Sequence, residues 1–449
     1  MTKEPAIEAS VQDDVDAPIR ARGARMALEK LLQGYPAAAD TISRSRGLLA
    51  RRRRDLHRAM IGAEVRARLL AATSEVLIRP RDPIAAAWSY AQTCAIDTST
   101  TAYYPDAHTP LTYASVYRLL LDALVDGTEA ASKSRHRALL DTVLAAQDPT
   151  DGLFKDPAVF PYNDDSIDWW GWRHLTAHAL NALALFDESI RYPLTFSRHL
   201  WPSGATASWL ESLDWTRDPA STSNAVMNYG VTLQYERDYG GCPEASLAVN
   251  ELLDWLDAHH DPRTGTWGAH SPTPEGRSLA VQTAYHMWVL YLYDLRPVPS
   301  LEAAIDACLA TQTRQGGFGY QPNTSACEDI DSIQPLAFFS RMTTYRHAET
   351  VGALRRAGKW CVANQMRDGG FVFRIGEPFA YGGAPEFFTR AGQSNLFATW
   401  FRSLALAYIL QALDGDWGLP RSTVRLSRSP GYQCWLEPAQ FDALGCGSA

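Results

Sequence analysis

The 449-residue sequence contains no long apolar run and no paired cysteine motif. Nowhere do 18 apolar residues follow one another, and the first twenty residues include no apolar segment of the kind a signal peptide carries. The seven cysteines are scattered from Cys94 to Cys446 without a CxxC pair, which indicates free thiols in a reducing compartment. We therefore expect a cytoplasmic protein that does not span a membrane.

Concentrated positive charge is also scarce. The net charge of −8 is spread along the chain, so the sequence disfavours a nucleic-acid partner. The exception is a basic patch made of Arg44, Arg46, the run at 51–54 and Arg58. Such a patch indicates either a solvated helix face or contact with an anionic substrate tail, a partner or a membrane surface, the last as a peripheral contact. The oligomeric state is left open.

Large aromatic residues, by contrast, are abundant. The chain has 14 Trp and 19 Tyr, enough to line a cavity. Residues 1–20 are acidic and polar and predict a disordered lead-in, while 21–81 have apolar residues at helical spacing. Residues 82–415 form the main repetitive region, and 416–449 form a C-terminal tail.

The repetitive region uses one pattern several times. Segments 146–154, 259–268, 311–319 and 364–371 each end a helix in a polar turn with glycine and an aromatic residue. After each turn a second, more apolar helix begins on polar residues. Six such beginnings are spaced by 52 to 64 residues, as an array of one supersecondary unit requires. They lie near Thr109, Ser166, Ser221, Arg277, Asp329 and Gln393.

Each apolar helix is preceded by a helix that has charges on one side only, as a helix facing water should. These six preceding helices are predicted at 82–97, 134–147, 192–213, 244–258, 299–312 and 350–365. Six hairpins of outer and inner helix, closed on themselves, predict an all-α protein with a single (α/α)6 toroid of six helical hairpins and an N-terminal helical segment.

Acidic residues concentrate at two of the six beginnings, 164–168 and 328–331, which are three repeats apart and therefore opposite one another. Crowding like charges raises the pKa of at least one carboxyl, so such a cluster can hold a proton at neutral pH and donate it. Opposed carboxylates also suit a divalent cation. Capping of a helix N-terminus explains the same residue types equally well.

One stretch contains a glycine–aromatic turn at 316–320, the acids of Asp329-Ile330-Asp331-Ser332, a helix end at 360–365 and a second turn at 368–371. This order resembles the squalene-hopene cyclase-like barrels of the terpenoid cyclase and protein prenyltransferase superfamily. Turn repeats extend the resemblance over 82–415. It implies a class II-type terpene cyclase that cyclises a linear isoprenoid, either a prenyl diphosphate or a polyene, after protonating it.

By this resemblance Asp331 matches the proton donor of the DxDD motif, Asp329 matches the first acid, and Ser332 stands where many members have the last Asp. Relatives of the DxDTT type have a hydroxyl residue there. The chain departs from class II cyclases in having one barrel where the substrate usually lies between two. Protein prenylation is disfavoured because the last inner helix opens on 393–395 without the histidine that a zinc site needs.

Further residues complete the predicted site. Protonation requires no cofactor, but a diphosphate substrate would allow Mg²⁺, and Asp164, Asp165 and Asp168 have the letters of a DDxxD motif. Asp168 and Trp172 fall on one helix face, and Arg173 and Arg277 could bind a diphosphate. The candidate substrate-binding residues are Asp168, Trp169, Trp172, Arg173, His174, Arg277, Tyr285, Phe338 and Trp400.

Two other classes of function fit the same fold. A carbohydrate-active (α/α)6 hydrolase, lyase or epimerase would use Asp168, Asp331 or Glu386 with His174 for acid–base work, and its aromatic residues would stack on sugars. A non-enzymatic toroid that binds a lipid or a partner protein would use the acids only as helix caps.

Overall fold

The computed structural model describes residues 51–71, 82–128, 130–157, 171–414 and 424–444. The chain divides between Ala63 and Glu64 into two units. Residues 51–63 of the first unit and 64–71 of the second are helical, and the arginines at 51–54 and Arg58 are exposed. The predicted lead-in at 1–20, together with Arg44 and Arg46, lies outside the described residues.

Helices make up 60% of the structure and strands 4%, which confirms the predicted all-α class. In chain order the helices of the second unit from residue 82 onward are α1 (Pro83–Thr93), α2 (Thr112–Val125), α3 (Ala130–Arg135), α4 (Arg137–Ala145), α5 (Trp172–Leu185), α6 (Ala205–Ser212), α7 (Pro219–Asp238), α8 (Ala245–His259), α9 (Pro274–Tyr293), α10 (Leu301–Ala310), α11 (Ala326–Met342), α12 (His347–Ala363), α13 (Leu396–Ala412) and α14 (Pro438–Ala443).

Short elements join some of these helices. A 3₁₀ helix covers Thr195–Leu200, and two more cover Tyr381–Gly383 and Pro385–Phe387. Between α12 and α13 the strands β1 (Phe379–Ala380) and β2 (Phe388–Thr389) pair antiparallel, with Phe379 opposite Thr389.

Six helices, α2, α5, α7, α9, α11 and α13, are buried over most of their length and are called the buried helices here. Each contacts the next in this order, and α13 contacts α2. The outer helices α1, α4, α8, α10 and α12 have an exposed side and pack against them, and the short outer helix α6 packs against α8. Five buried helices begin within three residues of the predicted points, at Thr112, Pro219, Pro274, Ala326 and Leu396. The sixth begins at Trp172, six residues after Ser166.

Local capping fixes several of these beginnings. Asp218 and Thr273 accept hydrogen bonds from backbone N–H groups of the first turn, and a proline follows each of them at the first helical position. At α11 the cap is reciprocal: Ser325 accepts from the N–H of Glu328, and the Glu328 carboxylate accepts from the N–H of Ser325. Thus one of the three clustered acids has a capping role.

Glutamines tie the repeated turns to the following outer segment. In the turn after α10, Gln312 Nε2 donates to the carbonyl of Gly316 at 2.9 Å and to Ala353 of α12 at 2.8 Å. Gln147 bridges its own turn to Tyr192 in the same way. The equivalent Gln365 donates to the carbonyl of Pro83 at 2.8 Å and so joins the last turn to the first outer helix.

The C-terminal segment, residues 424–444, is packed against the buried helices. Gln433 donates from Nε2 to the carbonyl of Leu120 and accepts from Trp400 Nε1, while its backbone N–H donates to Asn181 Oδ1. These partners belong to α2, α13 and α5. Tyr432, Cys434 and Leu436 are buried as well. The segment therefore completes the core, a role that the sequence pattern did not predict.

None of the helices within the described ranges is both long and apolar enough to cross a membrane. The six cysteines in the described part of the chain are free thiols, as the scattered spacing predicts, and Cys446 lies outside it.

Candidate active site

Asp329, on the first turn of α11, is fully buried and held by four donors. Its Oδ1 accepts from the Phe318 N–H and from Thr324 Oγ1, both at 2.8 Å. Its Oδ2 accepts from Trp360 Nε1 at 2.8 Å and from Arg402 at 2.7 Å, and the Arg402 side chain is also completely buried. Burial raises the pKa of Asp329, and these donors act in the opposite direction. Every acceptor direction of this carboxylate is used for structure.

The internal repeat gives the reason for this arrangement. In two other repeats a threonine occupies the same place: Thr176 of α5 accepts from the Phe154 N–H at 2.9 Å, and Thr399 of α13 accepts from the Phe371 N–H at 3.0 Å. In each case the side chain fixes the aromatic residue of the preceding glycine turn. Asp329 does the same with a carboxylate. Thr176, Asp329 and Thr399 are called the turn-clip residues.

Asp331 lies two residues further on, about 200° around the helix, and so points away from the glycine turn. Its side chain is buried, and burial raises its pKa well above the usual range, helped by the nearby charges of Glu328 and Asp329. No described residue donates a hydrogen bond to it. Burial without a hydrogen-bond donor favours the neutral form of a carboxyl, so these surroundings favour protonation of Asp331.

Aromatic residues and a thiol surround this acid. Asp331 interacts electrostatically with Tyr285 of α9, Tyr432 of the C-terminal segment and Cys327 of its own helix. Cys327 keeps some accessible surface, although burial raises the pKa of its thiol well above the usual range.

Tyr432 also belongs to an aromatic cluster made of Tyr117, His178, Trp400, Phe401 and Tyr432. Ring centroids within it lie 4.6 to 6.2 Å apart. The cluster draws on three buried helices and the C-terminal segment. Tyr432 therefore links this cluster to the electrostatic surroundings of Asp331, which has no salt-bridge partner among the described residues.

Ser332 and Pro335 are two further residues of α11 that follow Asp331 in the sequence. Ser332 is on the turn-clip side of the helix, and its Oγ lies 3.5 Å from Thr311 Oγ1 at the end of α10. Pro335 lies inside the helix and has no N–H, so the carbonyl of Asp331 lacks its usual helical donor. The third acid, Glu328, pairs with Arg374 at 2.7 Å in addition to its capping role.

His174 is buried, and both of its ring nitrogens have tyrosine partners. Tyr113 lies 2.8 Å from Nδ1 and Tyr381, of the segment joining α12 to α13, lies 3.2 Å from Nε2. Burial lowers the pKa of His174 well below the usual range, so the ring is neutral. Tyr381 also stacks on Phe397 at 4.2 Å. His174 of α5 therefore links the α12–α13 segment, through Tyr381, to α2, through Tyr113.

The other predicted binding residues separate into two groups. Tyr285 and Trp400 are fully buried; Tyr285 donates to Gln334 at 2.6 Å, and Trp400 belongs to the aromatic cluster. Phe338 is also buried, with Trp435 of the C-terminal segment at 4.6 Å. Trp172 covers the Lys155 ammonium at 4.6 Å, beside the turn after α4.

The arginines predicted to bind a diphosphate are placed differently. Arg173 lies 5.5 Å from the ring of Tyr229, whereas Arg277 is exposed and donates to the carbonyl of Pro272 at 2.6 Å. The acids Asp164, Asp165 and Asp168 and the indole of Trp169 lie outside the described residues. Within the described ranges no three His, Cys, Asp or Glu residues are grouped so as to hold a metal ion.

Three residues of the candidate site were not identified from the sequence. Tyr432 lies in a segment without repeat character, and Arg402 sits in the middle of an apolar helix, where a single charge is itself a signal of a buried partner. His178 could have been found by aligning the repeats, because it follows the clip residue Thr176 by two positions as Asp331 follows Asp329.

No protein-family model matches the chain, and no curated protein matches it either. The family resemblance therefore remains a prediction, and the functional argument depends on the geometry around Asp331.

Proposed function

We propose that the protein is a class II-type terpene cyclase that protonates and cyclises a linear isoprenoid, and that its buried helices are the inner ring of an (α/α)6 toroid. The cyclic contacts of the buried helices and the link from Gln365 to the first outer helix support the toroid. The observation that carries the function is Asp331, a buried carboxyl to which no described residue donates a hydrogen bond and whose pKa burial raises well above the usual range.

In the proposed reaction the Asp331 O–H bond breaks as the π electrons of a terminal alkene form a new C–H bond. The cation left on the neighbouring carbon is attacked by the next alkene, and ring closure moves the charge onward. A raised pKa keeps Asp331 protonated but makes it a weaker proton donor. Stabilisation of the carbocation by the site must therefore favour the proton transfer. Each aromatic face near the cation contributes roughly 0.5–2 kcal/mol.

The division of labour between the two aspartates supports this proposal. Asp329 is fixed by Arg402 and three further donors, so its negative charge is compensated and the first turn of α11 is rigid. Asp331 is thereby held at a fixed place with its proton available. A rigid acid in a dry apolar site protects the cation from water.

The proposed substrate is a polyene or a prenyl diphosphate. Protonation by Asp331 needs no cofactor. For a diphosphate substrate we propose Mg²⁺ as an additional ligand, with Asp164, Asp165 and Asp168 as its candidate residues.

The carbohydrate-active alternative is less well supported. A glycoside hydrolase needs a second carboxylate beside the acid. Two carboxylates influence Asp331: Asp329 is paired with Arg402, and Glu328 is paired with Arg374 through Oε2, while its Oε1 has no hydrogen-bond partner among the described residues.

The test compares Asp331→Asn with Asp329→Asn. Asparagine has no transferable carboxyl proton, so Asp331→Asn should lower product formation from squalene or a linear C20 prenyl diphosphate by at least about 100-fold. Its free energy of unfolding in urea should not fall, because no partner is lost. Asp329→Asn leaves Arg402 buried without its counter-charge and should cost about 3–5 kcal/mol of stability.

Full turnover by Asp331→Asn would contradict the assignment of the acid. No cyclic product from the wild-type protein with either class of substrate would contradict the cyclase itself. Equal stability of the Asp329 variant and the wild-type protein would contradict the structural role of that carboxylate.

A further inference from the structure

His178 on α5 is a buried histidine whose two ring nitrogens have no hydrogen-bond partner among the described residues. An imidazole has at least one N–H, so an unpaired donor and an unpaired acceptor are both withdrawn from water. Leaving buried polar groups unpaired is costly, and most proteins avoid it. The contacts of the folded chain therefore do not explain why this imidazole is buried.

Burial lowers the pKa of His178 to about 3, so the ring is neutral at physiological pH and one nitrogen has a free lone pair. The other two histidines near it differ. His174 has tyrosine hydroxyls at both nitrogens, and Nδ1 of His286 lies 2.9 Å from Ser223 Oγ. Of the described histidines that are fully buried, His178 is the one with both nitrogens unpaired.

Aromatic rings enclose this imidazole. Ring centroids lie at 5.1 Å for Tyr432, 5.3 Å for Trp400 and 5.7 Å for Tyr117, and the His174 ring is at 4.3 Å. Tyr432 also interacts with Asp331, so the acid and the imidazole share one aromatic neighbour.

The repeat places the two residues in corresponding positions. The clip residues Thr176 and Asp329 both fix the N–H of the preceding turn aromatic. Each is followed two residues later by a side chain rotated about 200° away, His178 in one helix and Asp331 in the other. An acid and a base thus occupy the same structural position in two repeats.

We propose that His178 is the base that ends the reaction, a step that depends on the proposed cyclase function. The C–H bond next to the cationic carbon breaks, its electron pair forms the final C=C bond, and the proton goes to the free ring nitrogen of His178. One proton enters from Asp331 and one leaves to His178, so the product is an isomer of the substrate. A weak base suffices because a C–H bond next to a carbocation is a far stronger acid than an imidazolium.

Binding of two ammonium probes tests this without turnover. Protonated N,N-dimethyldodecylamine carries an N–H that the free nitrogen of His178 can accept, whereas N,N,N-trimethyldodecylammonium has the same charge and chain but no N–H. The wild-type protein should prefer the tertiary amine over the quaternary one by roughly 10–100-fold, as expected for a charge-assisted hydrogen bond. His178→Phe should abolish this preference, whereas the matched control His286→Phe should retain it.

Titration calorimetry below the micelle-forming concentration of each probe gives the affinity ratios. An unchanged preference in His178→Phe, or no binding of either probe to the wild-type protein, would overturn the assignment. Because the substitution removes unpaired polar atoms from the interior, the variant should unfold at a temperature equal to or above that of the wild-type protein. A large decrease would indicate a structural role and would also overturn it.

Product analysis separates this inference from the cyclase proposal. With squalene or the linear C20 prenyl diphosphate, His178→Phe should still consume substrate but form products ended by water or by proton loss at another carbon. The same product set at the wild-type rate would refute the base and leave the cyclase intact. Absence of cyclic products in the wild-type protein would refute the cyclase, while the probe experiment would still decide whether His178 accepts a hydrogen from a bound cation.

Discussion

Asp329 and Asp331 have the same side chain, two residues apart, in different surroundings. The difference comes from the helix, because a rotation of about 200° directs one carboxylate to a turn rich in donors and the other to aromatic rings. Asp329 receives four hydrogen bonds, and no described residue donates one to Asp331. The chemistry of a carboxyl is thus decided by its neighbours and not by its place in a motif.

Another buried acid, Glu236, permits a prediction of pH dependence. Glu236 of α7 is buried and accepts from Ser197 Oγ at 2.6 Å, and burial raises its pKa from 4.5 to about 7. Between these pH values the unfolded chain loses the proton and the folded protein keeps it. The free energy of unfolding should therefore fall as pH rises from about 4.5 to 7, by about 3 kcal/mol for this group.

Glu236→Gln is neutral at every pH and lacks this contribution. Urea unfolding at several pH values from 4 to 8 should show the wild-type protein losing stability relative to the variant across that window. A constant difference between the two proteins would mean that Glu236 does not titrate in this range.

At the scale of elements, the glycine turns and glutamine side chains set the spacing between successive hairpins. Gly369 has a φ of +92°, and a Cβ at this position would lie 2.5 Å from the carbonyl oxygen of Ala86 in α1. The same turn is joined to α1 by Gln365. The last turn of the repeat region can reach the first outer helix this closely only because it has no side chain there.

Gly369→Ala should therefore destabilise the protein by about 2–3 kcal/mol, since it adds backbone strain and a close contact with α1. The matched control is Gly352→Ala in α12, where the nearest atom to a new Cβ is the flexible Nη1 of Arg356 at 3.4 Å. This control should stabilise the helix by up to about 1 kcal/mol. Thermal unfolding of both variants gives the comparison, and equal effects would contradict the role of the turn.

At the scale of the whole second unit, the C-terminal segment supplies interior residues that the repeats do not. Gln433 links α2, α5 and α13, and Trp435 packs on Phe338. Tyr432 reaches the acid and the aromatic cluster. Without this segment, Trp400 Nε1 would lose its acceptor and the carbonyl of Leu120 would lose the donor that Gln433 supplies.

Deletion of residues 424–449 should lower the unfolding temperature by 10 °C or more and increase binding of a hydrophobic dye, because buried aromatic surface becomes exposed. Deletion of 445–449 alone removes none of the described contacts and is the matched control. Equal unfolding temperatures for the long deletion and this control would show that the segment is not part of the core.

The sequence by itself determined the helical class, the positions of the buried helices and the location of the acid cluster. These features are local: apolar periodicity, capping residues and glycine turns act over a few neighbouring positions. Helix beginnings such as Ala326 and Leu396 were consequently predicted within three residues. The repeat also placed Thr176, Asp329 and Thr399 at equivalent positions. Their shared role in holding the turn aromatic is evident only from their hydrogen bonds.

The tertiary structure alone decided which neighbours each aspartate has. Arg402 lies 73 positions from Asp329, and Tyr432 reaches Asp331 from a segment without any repeat pattern. It also decided that His178 has no hydrogen-bond partner among the described residues and that His174 has two. The pKa of a buried group depends on its distance from charges and donors in space, and side chains far apart in the chain are brought together only by the packing of the helices.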